Sequence, residues 1–293
     1  MKRHLWALAA LSLTAAACTG TATPPGTTVA GPARTAPATS VTVVVPAGDE
    51  AVVTRVFDGD SFEAEIDGRE VEVRMLGINA PERDECHGDV ARGRLRDLIE
   101  DASVTLVDDG EDTDDRFGRL LRSVYTTDSF VNATMVAEGH ALALQSGDPQ
   151  ESRLVELSAA AYDAQLGMWA PDACDDTNLP DIRIVEIEYD PPGRDFENKT
   201  EEWVVVRNIG ETPVDLGGWI IRDESSTHRY EFPAGENLPA GDELRIRTGC
   251  GDDRRSDRYW CADDAVWSNG GDTVILQTAA GTVIDRALYE GDF

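Results

Sequence analysis

Between Val56 and Glu82 the chain reads VFDGDSFEAEIDGREVEVRMLGINAPE, which gathers Asp58, Asp60, Arg74, Asn79 and Glu82 around one two-residue turn. These types suit one kind of chemistry. Oxygen donors from Asp, Asn and a backbone carbonyl match a hard cation such as Ca²⁺, which tolerates irregular geometry and bound water. A carboxylate such as Glu82 can position a water for attack and take its proton. A guanidinium such as Arg74 can grip phosphoryl oxygens at two points as negative charge grows on them. A second guanidinium, Arg119, follows in RFGR. Taken singly, each residue also has a plain reading. DGD is a common turn, Arg74 can neutralise Glu63 or Glu72 across a hairpin, Glu82 can begin a turn after Pro81, and Arg119 can be one more solvated cation.

The elements that must position these residues read as strands. AVVTRVF, SFEAEI and REVEVRML follow one another, the last with Val71, Val73 and Met75 alternating against Glu70, Glu72 and Arg74. With Asp67 and Gly68 as the central residues of a tight hairpin, Ile66 faces Arg69, Ala64 faces Val71, Phe62 faces Val73 and Ser61 faces Arg74. Apolar residues then meet on one face, and Arg74 lands beside the turn that holds Asp60. SVTLVDD and RLLRSVY read as two more strands, while GDVARGRLRDLIED, SFVNATMVAEGHAL and DPQESRLVELSAAAYDAQLGMW read as helices. Five strands with helical packing give an α+β domain built on a small closed or half-closed barrel. Beyond APDACDDTNLP the helix signals vanish. DIRIVEIEY, EEWVVVRNIG, WIIRD, ELRIRT, DTVILQT and TVIDRALY recur at the spacing of an all-β sandwich.

VFDGDSF, VRMLGINAPE, DDRFGRLLRSVY and FVNATMVAEGHA, in that order, resemble the staphylococcal nuclease (thermonuclease) family over about Asp49 to Trp169. The resemblance implies an OB-fold barrel with packed helices and calcium-dependent cleavage of phosphodiester bonds in DNA and RNA. It makes Arg74, Glu82 and Arg119 catalytic and Asp60 a metal ligand. Asn79 stands where the family's second metal aspartate is expected, and Ala80 would give its backbone carbonyl to the same ion. Three departures stand out. Asn79 lacks a charge, Phe117 replaces the usual tyrosine before GR, and GHALALQSGDPQ lacks the tyrosines that hold nucleotide in the best-known member. The second half, IRIVEIEYDPPG through NGGDTVILQTAAGTVIDRALY, resembles the lamin-tail domain, an immunoglobulin-like sandwich, with no ligand specified.

The front of the chain bears on compartment. Lys2, Arg3 and His4 precede the apolar run LWALAALSLTAAA, too short to span a membrane, and Cys18 follows small residues. This reads as an export signal over 1–18 with a lipobox-like end. It implies a lipoprotein anchored to the outer face of the cell membrane through Cys18, or, if the leader is simply cleaved, a protein secreted free. Residues 19–48, rich in Thr, Ala and Pro, read as a disordered tether, ahead of a nuclease-like domain at 49–176 and a lamin-tail domain at 180–290.

With Cys18 given to lipid, four cysteines remain and no CxxC pair favours zinc. The domain split suggests disulfides Cys86 to Cys174 and Cys250 to Cys261, in keeping with an oxidising compartment. His87, His140 and His228 read as isolated, structural or exposed. The net charge of -30 is far from the basic footprint of a strong nucleic-acid binder. It leaves two functions open: a nuclease of low substrate affinity, or a catalytically idle cell-surface binding protein using both domains.

Overall fold

The computed structural model describes residues 44–291 except 110–112, 146, 175–178 and 226. The leader, Cys18 and most of the tether therefore lie outside the described residues.

Asp67 (φ 50°) and Gly68 (φ 78°) both adopt left-handed backbone, the geometry that lets a two-residue turn follow the twist of its strands. The turn joins β2 (Ser61–Ile66) to β3 (Arg69–Met75) in the expected register, Ser61 opposite Arg74 and Ile66 opposite Arg69. Together with β1 (Asp49–Val56), β5 (Ser103–Val107) and β6 (Leu120–Tyr125), these strands close a barrel in the order β1, β2, β3, β6, β5. The β3 to β6 pairing is parallel, with Val73 opposite Leu120 and Arg74 opposite Leu121. A two-stranded ribbon lies beside the barrel, formed by β4 (Ile78–Asn79) and β7 (Leu142–Ala143). Helices α1 (Gly88–Ile99), α2 (Val131–Ala137) and α3 (Glu151–Asp163) complete the domain.

Alternation decides what the barrel buries. Phe62, Val73 and Met75 point inward and join Val53, Leu106 and Val124, with Leu95 and Ile99 of α1 and Met135 of α2, in one core. Each such side chain contributes roughly 1.5–3 kcal/mol when fully buried. On the outer face the register sets Glu63 opposite Glu72 and Glu65 opposite Glu70.

The second domain is an immunoglobulin-like sandwich, with ten strands among its described residues. They are β8 (Ile182–Glu188), β9 (Trp203–Asn208), β10 (Val214–Asp215), β11 (Ile220–Arg222), β12 (Arg229–Glu231), β13 (Asn237–Leu238), β14 (Glu243–Arg247), β15 (Asp257–Tyr259), β16 (Gly271–Gln277) and β17 (Val283–Glu290). One sheet runs β12, β11, β16, β17 and the other β15, β14, β9, β8, with β10 and β13 pairing separately. Val204, Val206, Trp219, Ile221, Phe232, Leu244, Ile246 and Leu276 fill the space between them. The short strands β10, β12, β13 and β15 carry too few residues to show a period in the sequence.

The two domains are packed together. Leu142, Ala161, Met168 and Trp169 of the barrel domain share a small apolar cluster with Ile275 of β16, and Tyr162 and Val283 flank it. Arg286 of β17 donates to the Ser158 carbonyl (3.2 Å) and lies over the rings of Tyr162 and Trp169, 5.6 and 5.5 Å from their centroids.

Candidate active site

The turn between β1 and β2 is held by Asp58, whose Oδ1 accepts from the Asp60 amide (3.0 Å) and whose Oδ2 accepts from Ser61 Oγ (2.6 Å). Gly59 at its apex has no room for a side chain. A Cβ there would stand 2.6 Å from Ala80 Cβ and 2.8 Å from Ala91 Cβ, so glycine lets the turn lie directly on the chain that leaves β4 and on α1.

That close approach buries Asp60, which is 5% exposed. Its Oδ2 accepts from the Ala80 amide (2.5 Å) and lies 3.1 Å from Arg74 Nη2. Burial pushes the Asp60 carboxyl up to about 7, against the opposing pull of Arg74. Arg74 is held by both arms of its fork. Nη1 donates to the carbonyls of Met75 (2.8 Å) and Ile78 (2.7 Å), and Nη2 donates to Asn79 Oδ1 (3.0 Å). Glu82 sits at the solvent-exposed rim just beyond Pro81. Its backbone amide donates to Glu85 Oε2 (3.0 Å). Partial desolvation, then the charges of Asp58 and Glu85, push its carboxyl above the usual range.

Arg119 reaches the same edge of the barrel by topology, because it immediately precedes β6, which runs alongside β3. Asp115 shapes its loop, accepting from the amides of Phe117 (2.8 Å) and Arg119 (3.0 Å) through Oδ1 and from Arg119 Nε (2.7 Å) through Oδ2. Phe117 is 70% exposed, with the guanidiniums of Arg116 and Arg119 4.8 and 5.6 Å from its ring centroid.

The structure thus brings Asp60, Arg74, Asn79 and Ala80 into one hydrogen-bonded group, sets Glu82 at its rim and places Arg119 in the loop that leads into the neighbouring strand, where its charge partner is Asp115. Asn79 also has a partner outside the barrel domain. It is 6% exposed, and its Nδ2 donates to the backbone carbonyl of Glu224 in the sandwich (2.8 Å). Cys86 bonds to Cys174 and Cys250 to Cys261. The histidines are not isolated. His87 Nε2 and His140 Nδ1 lie 2.9 Å apart with stacked rings, and His228 Nδ1 lies 2.6 Å from Asp223 Oδ2. Residues 87 and 140 are distant in sequence, which hid their pairing. Sequence reasoning also missed Asp115 and the role of Asp58. For both, the signal was an Asp two residues ahead of the amide it accepts from, as in DGD and DRF.

Two family models match the chain: staphylococcal nuclease homologue over residues 72–171 and Lamin Tail Domain over 176–291. A micrococcal nuclease of Shigella flexneri is 33% identical over 128 residues, which is 40% of this chain and 72% of that protein. Protein ParB of Escherichia coli is 34% identical over 150 residues, 47% of this chain and 83% of that protein. A thermonuclease of Staphylococcus intermedius is 28% identical over 130 residues, 42% and 77% of the two chains. By its closed five-stranded barrel, its Asp60, Arg74 and Glu82 edge and these relatives, the chain belongs to the staphylococcal nuclease family, with a lamin tail domain behind the barrel.

Proposed function

We propose that this hydrolase is an exported, calcium-dependent nuclease that cleaves phosphodiester bonds of DNA or RNA, held at the outer face of the membrane through a lipid on Cys18. The observation that carries the reading is Arg74, fixed by two backbone carbonyls and aimed at Asp60, with Glu82 open to solvent beside it.

Asp60 supports the cation. A carboxyl that burial raises to about 7 is only partly ionised near neutrality, and a bound cation is the natural means of keeping it charged. Asp60 and the Ala80 carbonyl offer the hard oxygen donors that calcium takes, with water filling the remaining positions. Asn79 fits this role less well, because its Oδ1 is occupied by Arg74. When bound, calcium supplies Lewis-acid polarisation of the scissile phosphate.

The chain's own residues do the rest. Glu82 accepts a proton from the attacking water as the new P–O bond forms and the bond to the leaving oxygen breaks. Arg119 binds the phosphoryl oxygens on which charge accumulates, a preorganised contact that lowers the barrier by roughly 3 kcal/mol, and Arg74, its terminal donors engaged, sets a fixed positive charge beside them. Phe117, exposed between two guanidiniums, offers a stacking face to an unpaired base. With a net charge of -30, affinity is low and strongly salt-dependent. Export is supported by the leader-like first eighteen residues and by two disulfides.

The test is digestion of single- and double-stranded DNA and of RNA by purified protein with added Ca²⁺, with chelator and Glu82→Gln controls. Cleavage that chelator abolishes and Glu82→Gln cripples is expected. Intact substrates with wild type and variant alike would sink the reading. For the anchor, Cys18→Ser should move the protein from the membrane fraction to the medium.

A further inference from the structure

Asn79 bridges Arg74 and the sandwich. Arg74 has only donors to offer and the Glu224 carbonyl only accepts, so a side chain that bridges them must accept on one side and donate on the other. Asn79 supplies both, Oδ1 to Arg74 (3.0 Å) and Nδ2 to Glu224 O (2.8 Å). An aspartate there would set a carboxylate oxygen against a carbonyl oxygen in a buried place, which is costly.

Glu224 is itself built in. It is 7% exposed, and its carboxylate accepts from the Gln145 amide of the barrel domain (3.1 Å) and from the Thr273 amide of β16 (2.8 Å). One residue of the sandwich therefore ties β4, the chain after β7 and β16 together. A second tie lies close by along the chain, where Arg229 of β12 pairs with Glu85, three residues past Glu82. A third close approach joins Gly281 of the sandwich to Cys86, where an added Cβ would stand 2.8 Å from the Cys86 Cβ.

We infer that the lamin tail domain is a working part of the nuclease centre: Asn79 is a positioning residue that holds Arg74 in place because Glu224 of the sandwich holds Asn79. The amide is then the consequence of docking a second domain against the catalytic edge, and the barrel reaches full competence only with the sandwich seated on it. The positioning half of this statement rests on the nuclease reading. The link between the domains does not.

The experiment uses the full chain with Asn79→Asp and, away from the catalytic edge, Ile275→Ala in the apolar cluster shared by the domains. Steady-state cleavage, calcium titration by calorimetry and amide exchange of the 222–225 segment are measured for each. The expected result for Asn79→Asp is faster exchange at 222–225 and a fall in kcat of about tenfold, with KM little changed. Ile275→Ala should likewise speed exchange at 222–225 and lower kcat. Unchanged exchange with tighter calcium binding in Asn79→Asp would overturn the inference and make residue 79 a ligand position. Faster exchange with undiminished kcat would remove the positioning role. Wild type that fails to cleave at all sinks the nuclease reading, and the exchange comparison still decides whether Asn79 links the domains.

Discussion

Arg74 Nη2 stands 3.1 Å from Asp60 Oδ2, and its other terminal nitrogen is spent on two backbone carbonyls, so the cation is oriented before any substrate arrives. Lysine would keep the charge and lose the fork. Arg74→Lys should therefore lower kcat roughly 100-fold while leaving Tm within a few degrees. Steady-state kinetics and a thermal melt check both, and a fully active Lys variant would mean that charge alone suffices.

Asp115 carries no direct chemistry but accepts three hydrogen bonds from the Phe117 to Arg119 loop. Asp115→Ala should loosen Arg119 and reduce kcat by about tenfold, less than Arg119→Ala itself, with the fold retained. Equal losses in the two variants would show that Arg119 depends wholly on its partner.

Stability should respond to pH through Asp272, 3% exposed in the sandwich. Burial first, then its hydrogen bond to Glu224 and the charges of Glu224 and Asp223, push its carboxyl up to about 10. The folded chain thus holds this proton far more tightly than the unfolded one. The contribution is full below about pH 4 and is lost as pH rises towards 10. Tm should fall between pH 5 and 9, and Asp272→Asn should flatten that slope. Tyr289, raised by burial and by Asp272, faces the same pocket of charge. His87 acts in the opposite sense. Burial and His140 lower it to about 4, so its contribution is present above about pH 6.5 and lost as pH drops through 4.

Cys86 and Cys174 are 88 residues apart, and closing such a loop restricts the unfolded chain by about 4.5 kcal/mol. Replacing both by alanine should lower Tm by roughly 10 °C. The pair Cys250 and Cys261, 11 residues apart, should give a smaller change. Differential scanning calorimetry of each double variant decides the order.

Local signals made much of this legible. Asp67 and Gly68 fix the hairpin, and the hairpin alone carries Arg74 to the turn of Asp60. The five barrel strands and three helices follow from periods of two and of 3.6. What stayed hidden is non-local. The partner of Asn79 lies 145 residues away, and the partner of His87 lies 53 away. No period or turn residue encodes such meetings, so the sequence gives residue 79 no sign of its contact with Glu224.

The glutamates on the outer face of the first hairpin have a bearing on working conditions. Glu63 opposite Glu72, and Glu65 opposite Glu70, are like charges at directly paired cross-strand positions, which costs stability until counterions screen them. Dissolved salt should thus firm up the barrel while loosening its hold on a polyanion. Durability and turnover are pulled apart by the same variable, and the enzyme should work best in a band of intermediate ionic strength whose lower edge is set by folding and whose upper edge is set by substrate capture.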